Sequence, residues 1–533
     1  HSRNTNSSSL RTQIKFMKIL FTLFAIAFSI SAFCQNEVKF MLSGGLTPTT
    51  VELRAKLSDT SNNVRAVVST TNPLTAPFIY SNVSAATTGN NLVIPISVTG
   101  LSPATKYYYA FESKGVLDNS GDDIGTFTTP AVGPQSFSFV VGSCNQTPAT
   151  TTYKDYTKYN ALFYTMLGDL HYKDPCDQQI SFHRDPYENN VFNQQFQRDA
   201  FRDLPLAYVW DDHDYCGNDD VGDQLPGTAN ARQTYRDYIP HYPLAAGPGN
   251  QPIYQSFEIG RVKFIFTDLR SPVIVGSTAM GTAQKAWFKQ QVLDARDRNL
   301  MIAWASSYSW YGFLADNWGG YTDERTELTE FFRDSSIANM FIMNGDAHMS
   351  ALDNGINGDF TTAKNLPYRY PLIHAGPIEN TCSFKGGTYS EGTFYTWFQR
   401  RQQYGVVSVN DNGGDSVCVT MDLYRIENSV TSKLGSYSFC RKLGAVQTSI
   451  TELEENSFEL FPNPSNGIFN IRFKTIEKAV IDVYSAEGKF VKHIDVDDAA
   501  YHPIDLSEQA KGVYIAKVKT SKGTFAKRLI INR

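Results

Sequence analysis

The sequence predicts a multidomain chain: a β-sandwich, then a layered α/β domain, then a small C-terminal β-sandwich. Three observations lead there. The chain has 533 residues, too many for one core, and roughly 150 residues per domain implies about three or four domains. Both flanks carry short runs that alternate apolar and polar residues between turn signals, the period of half-buried strands. The middle alternates strand-like runs with helical stretches, the pattern of a layered α/β domain. With 41 % hydrophobic and 19 % charged residues, the chain falls with globular rather than disordered sequences. A net charge of -5 gives no footprint for a nucleic-acid partner.

Residues 1–35 read as a leader. From Met17 one lysine precedes an apolar stretch and then small residues near Ala32, which fits a secretory signal peptide cleaved around Cys34 and Gln35. The apolar stretch is short for a span of about 20 residues, and no later segment is long and apolar enough to cross a membrane.

Residues 36–131 form the first β part, with the runs VELRAKL, VRAVVS, LVIPISV and KYYYAFES. The stretch VTGLSPATKYYYAFES, followed by GTFTTP, resembles a fibronectin type III module. That resemblance makes Leu101 the core leucine and one of Tyr107, Tyr108 and Tyr109 the corner tyrosine.

Residues 132–445 form the α/β part. Helices are predicted over 282–298 and over 322–335, the second with Thr322 as N-cap and acids in its first turn. Four polar clusters follow apolar runs here: GSCNQ at 142–146, GDLHY at 168–172, WDDHDY at 210–215 and GDAH at 345–348. Ligands of open α/β sheets bind beyond the carboxyl ends of the strands. If the runs are core strands, their tips gather a thiol, carboxylates, imidazoles and a phenol in one crevice. Such groups are costly to gather without a cation.

In GDLHY, Gly168 permits a tight turn and Asp169 projects beyond the strand, where its two oxygens can serve two cations. Tyr172 is within reach of the same metal. In WDDHDY, Asp212 and His213 end a strand, and a histidine among carboxylates has a raised pKa that suits a general acid. In GDAH, the two-residue spacing puts Asp346 and His348 on one face of an extended segment. Cys144 ends the first strand, where it would bind metal as thiolate. Arg270 in TDLRS either holds a phosphate oxygen or pairs with Asp268. His183 and Arg184 read as a solvated face, Asp316 and Trp318 as pocket lining or loop packing, and His374 as a core histidine. No GxSxG elbow, P-loop or GxGxxG fingerprint occurs, which argues against serine hydrolase, kinase and dinucleotide chemistry.

Cys144, Asp169, Tyr172, WDDHD and GDAH together resemble the alkaline phosphatase D (PhoD-like) metallophosphatases. YRDYIPHYPL, GTAQKAWF and DNWGGYTDER agree with the same family. The resemblance implies a metallophosphatase domain that hydrolyses small phosphate mono- or diesters outside the cell. It implies Asp169 as bridging ligand, with Cys144, Tyr172, Asp346 and His348 around Fe3+, and Ca2+ on the side where Asp212 points. The same resemblance implies that Asn218 assists at that edge and that His213 is the general acid, with Zn2+ or Mn2+ as alternative metals. Two rival readings are an inactive surface binding protein on a phosphatase scaffold and a metal-dependent hydrolase of another ester.

Residues 446–533 return to β. PNPSNG makes a stiff turn, and with IDVYSAEGK, LSEQAKGVYIAKV and a basic last strand it resembles a type IX secretion C-terminal sorting domain. That implies export through the periplasm to the surface or medium, with the type IX machinery as partner. Seven cysteines are present. Beyond Cys34 and Cys144, Cys418 and Cys440 flank a predicted hairpin and are the favoured disulfide; the rest of the connectivity stays open.

Overall fold

The computed structural model describes residues 38–60, 63–119, 123–147, 150–384, 387–395, 399–444, 458–485, 490–520 and 523–532. The expected leader, 1–35, lies outside the described residues. The chain divides into two compact units, one up to Val446 and one from Gln447.

In the first unit, the apolar runs become strands because both of their faces are covered. Phe137–Gly142, Phe163–Leu167 and Leu206–Val209 pair in parallel, in that order. Beside them, Arg400–Asn410, Ser416–Glu427 and Val430–Lys442 extend the sheet antiparallel. A second sheet runs parallel through Val262–Thr267, Met301–Ser306, Met340–Asn344 and Leu372–His374. The two sheets share one core. Phe139 stacks on Phe163 at 4.9 Å between ring centroids and meets Phe264 of the second sheet edge-on at 5.3 Å. Helices Gly281–Asp297 and Thr322–Asp334 cover the second sheet's other face, where Phe288, Val292 and Phe332 bury against Trp304 and Ile342. Each such side chain contributes about 1.5–3 kcal/mol. Thr322 is the first helical residue rather than the N-cap, which is Tyr321. The first-turn acid Glu324 instead accepts the backbone N–H of Ala279 at 2.5 Å, tying the helix to the loop that precedes helix Gly281–Asp297.

The N-terminal strands make two layers around a core that includes Leu53, Val68 and Tyr109. One layer does not stop at residue 131. Val38–Gly44, Thr50–Leu57 and Val93–Thr99 continue the first α/β sheet, with Gly44 paired parallel to Leu206. A Cβ at position 44 would lie 2.5 Å from the Leu206 carbonyl oxygen, so only glycine permits this approach. Leu101 is buried, and the Tyr107 hydroxyl accepts the Ser102 N–H at 2.8 Å.

His241 lies just behind this junction. Burial, then the charge of Arg54, pushes its pKa down to about 4, against an ordinary value of about 6.5. The native imidazole stays neutral while the unfolded chain takes up a proton. Its stabilisation is therefore present above pH ~6.5 and is lost as pH falls toward 4. At pH 5 the loss is about 2 kcal/mol. His241→Gln should flatten the fall in denaturation midpoint between pH 7 and pH 5; parallel falls in variant and parent would refute this.

In the second unit the expected sandwich takes the form of one hydrogen-bonded set of five antiparallel strands. These are Phe458–Phe461, Ile468–Ser485, Phe490–Asp505, Gly512–Thr520 and Gly523–Ile531. The register breaks between Arg472 and Ala479, and Phe469, Ile481, Val518 and Leu529 fill the core.

Cys418 and Cys440 are register partners on adjacent strands and form a disulfide. A second disulfide joins Cys176 to Cys216. Cys144 and Cys382 are buried thiols.

Candidate metal centre

The parallel strands of both sheets point their carboxyl ends the same way, and the four polar clusters meet there. Gly168 makes the meeting possible. Its φ is +91°, and a Cβ would lie 2.3 Å from the Cβ of Asp211. The GDLHY turn can therefore press directly on WDDHDY. Cys144, Asp169, Asp346 and His348 all hold left-handed backbone, with φ of 62°, 57°, 64° and 50°. Non-glycine residues adopt this conformation uncommonly, and such strain concentrates at functional sites.

Donor atoms of Cys144, Asp169 and His348 lie within 4.8 Å of one another. So do those of Asp169, Asp212 and His213, and those of Asp169, Asp211 and Asp346. Asp169 is common to all three groups. The Tyr172 hydroxyl donates to Asp169 Oδ2 at 2.7 Å and lies 2.8 Å from His348 Nε2. His348 Nδ1 sits 3.0 Å from the Thr381 carbonyl oxygen. A proton on that nitrogen leaves the Nε2 lone pair facing the centre. Asp212 accepts the N–H of His213 at 2.9 Å and of Asp219 at 2.7 Å.

The electrostatics call for positive charge. Burial first, then Asp212, Asp211 and Asp214, pushes the Asp169 carboxyl well above the usual range. Burial, relieved in part by Arg270, raises Asp211 to about 7. Burial and then Asp169 raise both the Cys144 thiol and the Tyr172 phenol. Asp169 Oδ1 is buried without a hydrogen-bond partner among the described residues. A cation reverses this logic, ionising its ligands and satisfying the orphaned oxygen. The thiolate, phenolate, imidazole and carboxylate set fits transition-metal binding on one side and hard, carboxylate-bound cations on the other.

His213 occupies the exposed edge. Its Nδ1 is 2.6 Å from Asp174 Oδ1, and its ring lies 4.0 Å from that of Tyr172. Burial alone lowers its pKa, but the Asp174 hydrogen bond and the Asp212, Asp174 and Asp214 charges outweigh burial and raise it. Although it lies within ligand distance of Asp169, its Nδ1 is committed to Asp174.

The structure thus brings together Cys144, Asp169, Tyr172, Asp212, His213, Asp346 and His348. Arg270 is fully buried behind them. Its Nε donates to Asp211 rather than to Asp268, and Nη2 is 3.9 Å from Asp212 Oδ2. Nη1 and Nη2 have no hydrogen-bond partner among the described residues. Asn218 is exposed, and the next residue, Asp219, donates its N–H to Asp212. His183 and Arg184 are buried rather than solvated, with Arg184 paired to Asp237 at 2.9 Å. Trp318 packs in the core with its Nε1 on Ser306 Oγ at 3.0 Å, and His374 is fully buried. Sequence reasoning missed Asp211 as a donor, Asp174 as the His213 partner, and Asn380, whose Nδ2 is 3.4 Å from His348 Nε2. The three acids of WDDHDY were the available signal for the first.

Fold and site together define an α/β domain whose strand tips gather possible metal donors around Asp169. Residues 139–366 match the family model of the PhoD-like phosphatases, and residues 459–532 that of the secretion system C-terminal sorting domain. The chain therefore carries a PhoD-like phosphatase domain and a type IX sorting domain, which marks it as secreted or cell-surface. A solved structure of PhoD is 16 % identical, spans 76 % of this chain and 92 % of its own, and superposes with a TM-score of 0.59, showing the fold. The calcineurin-like phosphoesterase YfkN from Bacillus subtilis is 10 % identical over 58 % of this chain and 91 % of its own, with a TM-score of 0.25. A beta-glucuronidase of Parabacteroides merdae is 8 % identical over 93 % and 76 %, with a TM-score of 0.22. Neither of these last two likenesses bears on the fold. No curated protein matches the chain.

Proposed function

We propose that the chain is a metal-dependent phosphoesterase that hydrolyses small organic phosphate esters outside the cell, releasing phosphate for uptake. The observation that carries this reading is the position of Asp169 in all three donor groups at the strand tips, with a buried oxygen left without a hydrogen-bond partner among the described residues. Cys144, Tyr172, Asp346 and His348 would hold Fe3+, and Asp212 would face Ca2+, with Zn2+ or Mn2+ as alternatives. When bound, the ions supply Lewis acidity to phosphate oxygens and acidify a water toward neutral pH. The remaining work falls to the chain's own residues. Asp211 fixes Arg270 through Nε, leaving its outer nitrogens to hold a phosphate oxygen. His213, with Nδ1 on Asp174, presents Nε2 to carry a proton to the departing alkoxide. Thr381 orients His348, and Asp214 caps the turn that carries Asp212 by accepting the N–H of Asp211 at 3.2 Å.

The test combines elemental analysis, assays on a phosphomonoester and a phosphodiester, and a visible spectrum of protein purified without chelator. Phenolate and thiolate are electron-rich donors to ferric iron, so a coloured protein is expected, with its band shifted or weakened in Tyr172→Phe. Zinc, with a filled d shell, gives no such band. Active, colourless, iron-free protein would defeat the ferric assignment. Metal-free protein without hydrolysis would favour a binding role, and turnover only of non-phosphate esters would favour another hydrolase.

The sorting unit folds around its own core and holds none of the site residues. Removal of 447–533 should leave hydrolysis by purified protein intact and stop its export. Normal export of the truncated chain would contradict this division of labour.

A further inference from the structure

Asp174 has little of its own to hold it in place. It sits on the stretch between the tip of Phe163–Leu167 and the helix Ile180–Asp185, where residues 171–176 form no regular element. Its backbone is left-handed, with φ +50°, and its side chain is 51 % exposed. Half-exposed ion pairs hold weakly, because solvent screens them and side-chain entropy opposes them. Yet Asp174 Oδ1 meets His213 Nδ1 at 2.6 Å.

A covalent link lies next to both partners. Cys176 lies two residues after Asp174, and Cys216 three residues after His213; they form a disulfide with a sequence separation of 40. The Cys176 N–H donates to the Asp174 carbonyl at 2.8 Å, so the crosslinked residue also sets the local backbone turn. Next to Cys216, a Cβ built on Gly217 would lie 3.4 Å from the Asp174 Cβ, so the loop rests directly on this glycine. The other disulfide joins strands already paired in a hairpin, Cys418 to Cys440, and touches neither cluster.

We infer that the Cys176–Cys216 disulfide is a positioning crosslink that holds Asp174 against His213, so that hydrolysis depends on the redox state of this cysteine pair. The inference rests on the reading of His213 as general acid. With Nδ1 tied to Asp174, the imidazole keeps one tautomer and one ring orientation, and Nε2 faces the leaving group. Opening the crosslink frees the loop, and the ring then loses its hydrogen bond to Asp174 while its contact with Tyr172 remains. Asp174 is a positioning residue: it acts through His213.

The experiment uses the full chain and compares turnover and metal content in the parent, Cys176→Ser/Cys216→Ser, Asp174→Ala and Asp174→Asn. Cys418→Ser/Cys440→Ser is the control. A dithiol offers a parallel route: it gives up two electrons and two protons, becomes a cyclic disulfide, and leaves Cys176 and Cys216 as thiols. The expected result is a fall in kcat of about 10-fold or more on alkyl phosphates, part of the 10²–10⁴ that general acid help is worth. On nitrophenyl phosphate, whose leaving group needs no proton, kcat should barely change. KM and metal content should stay at parent values, Asp174→Asn should recover part of the loss, and the control pair should be silent. Unchanged kcat in the double variant, an equal fall across leaving groups, or loss of metal with loss of rate would overturn the proposal; the last would make the cysteines ligands. Should the parent hydrolyse no phosphate ester, the phosphoesterase reading fails separately. The crosslink is then judged on zinc-loaded protein labelled with nitrogen-15 histidine. The Nδ1–H signal that disappears in His213→Gln must be present in the parent and lost in the double variant, and its persistence there refutes the positioning role.

Discussion

Asp169→Ala is expected to remove bound metal and hydrolysis together. The wild-type carboxylate lies in all three donor groups of the site, so one truncation opens each of them. One oxygen is held by Tyr172 at 2.7 Å and the other is buried with no hydrogen-bond partner among the described residues. The variant also frees the Tyr172 hydroxyl from its acceptor, loosening the contact that brings His348 in. Metal activation is worth several kcal/mol of transition-state stabilisation, so the rate should fall by roughly 10³-fold or more. The check is elemental analysis of the folded variant beside its turnover. Full metal content together with full rate would remove Asp169 from the centre of the site. Folding should survive, because the side chain contributes a carboxylate that burial already disfavours.

His213→Ala should behave differently: metal content stays, and turnover falls by about 10²–10⁴-fold. The histidine sits at the edge of the centre, with its ring on Tyr172 and its Nδ1 on Asp174. The deficit should grow as the leaving group becomes a poorer one, since only a poor leaving group needs a proton as its bond to phosphorus breaks. Losses of equal size across a series of leaving groups would assign His213 to binding or structure instead. The two variants together separate holding the metal from moving the proton.

Much of the site was legible in the sequence because it lies at strand tips. SFSFVV, LFYTML, PLAYV and MFIM are mostly apolar, and such runs form strands covered on both faces. A polar cluster after each run must then emerge at one edge of a sheet. That argument placed Cys144, Asp169, Asp212 and Asp346 together before any pairing was known. Other features escaped it. WDDHDY offers three acids, and nothing local says that Asp211 turns to Arg270, Asp212 to the open side and Asp214 back onto the backbone of Asp211 and His171. His183 and Arg184 looked solvated because their neighbours are charged, yet Arg184 finds Asp237 and both are buried.

By itself the sequence determined the main strand and helix runs, the sorting tail and the residue types that meet at the strand tips. These follow from periodicity and turn chemistry, which act over a few residues. Only the tertiary structure decided which partners meet across long stretches of chain. Tyr172 reaches His348 from 176 residues away, Arg270 reaches Asp211 from 59, and His213 reaches Asp174 from 39. It also decided that the N-terminal strands join the α/β sheet at Gly44, and that Cys176 pairs with Cys216. Sheet order and close approach at glycines set those contacts, and neither leaves a local signature, because each depends on backbone that is distant in sequence.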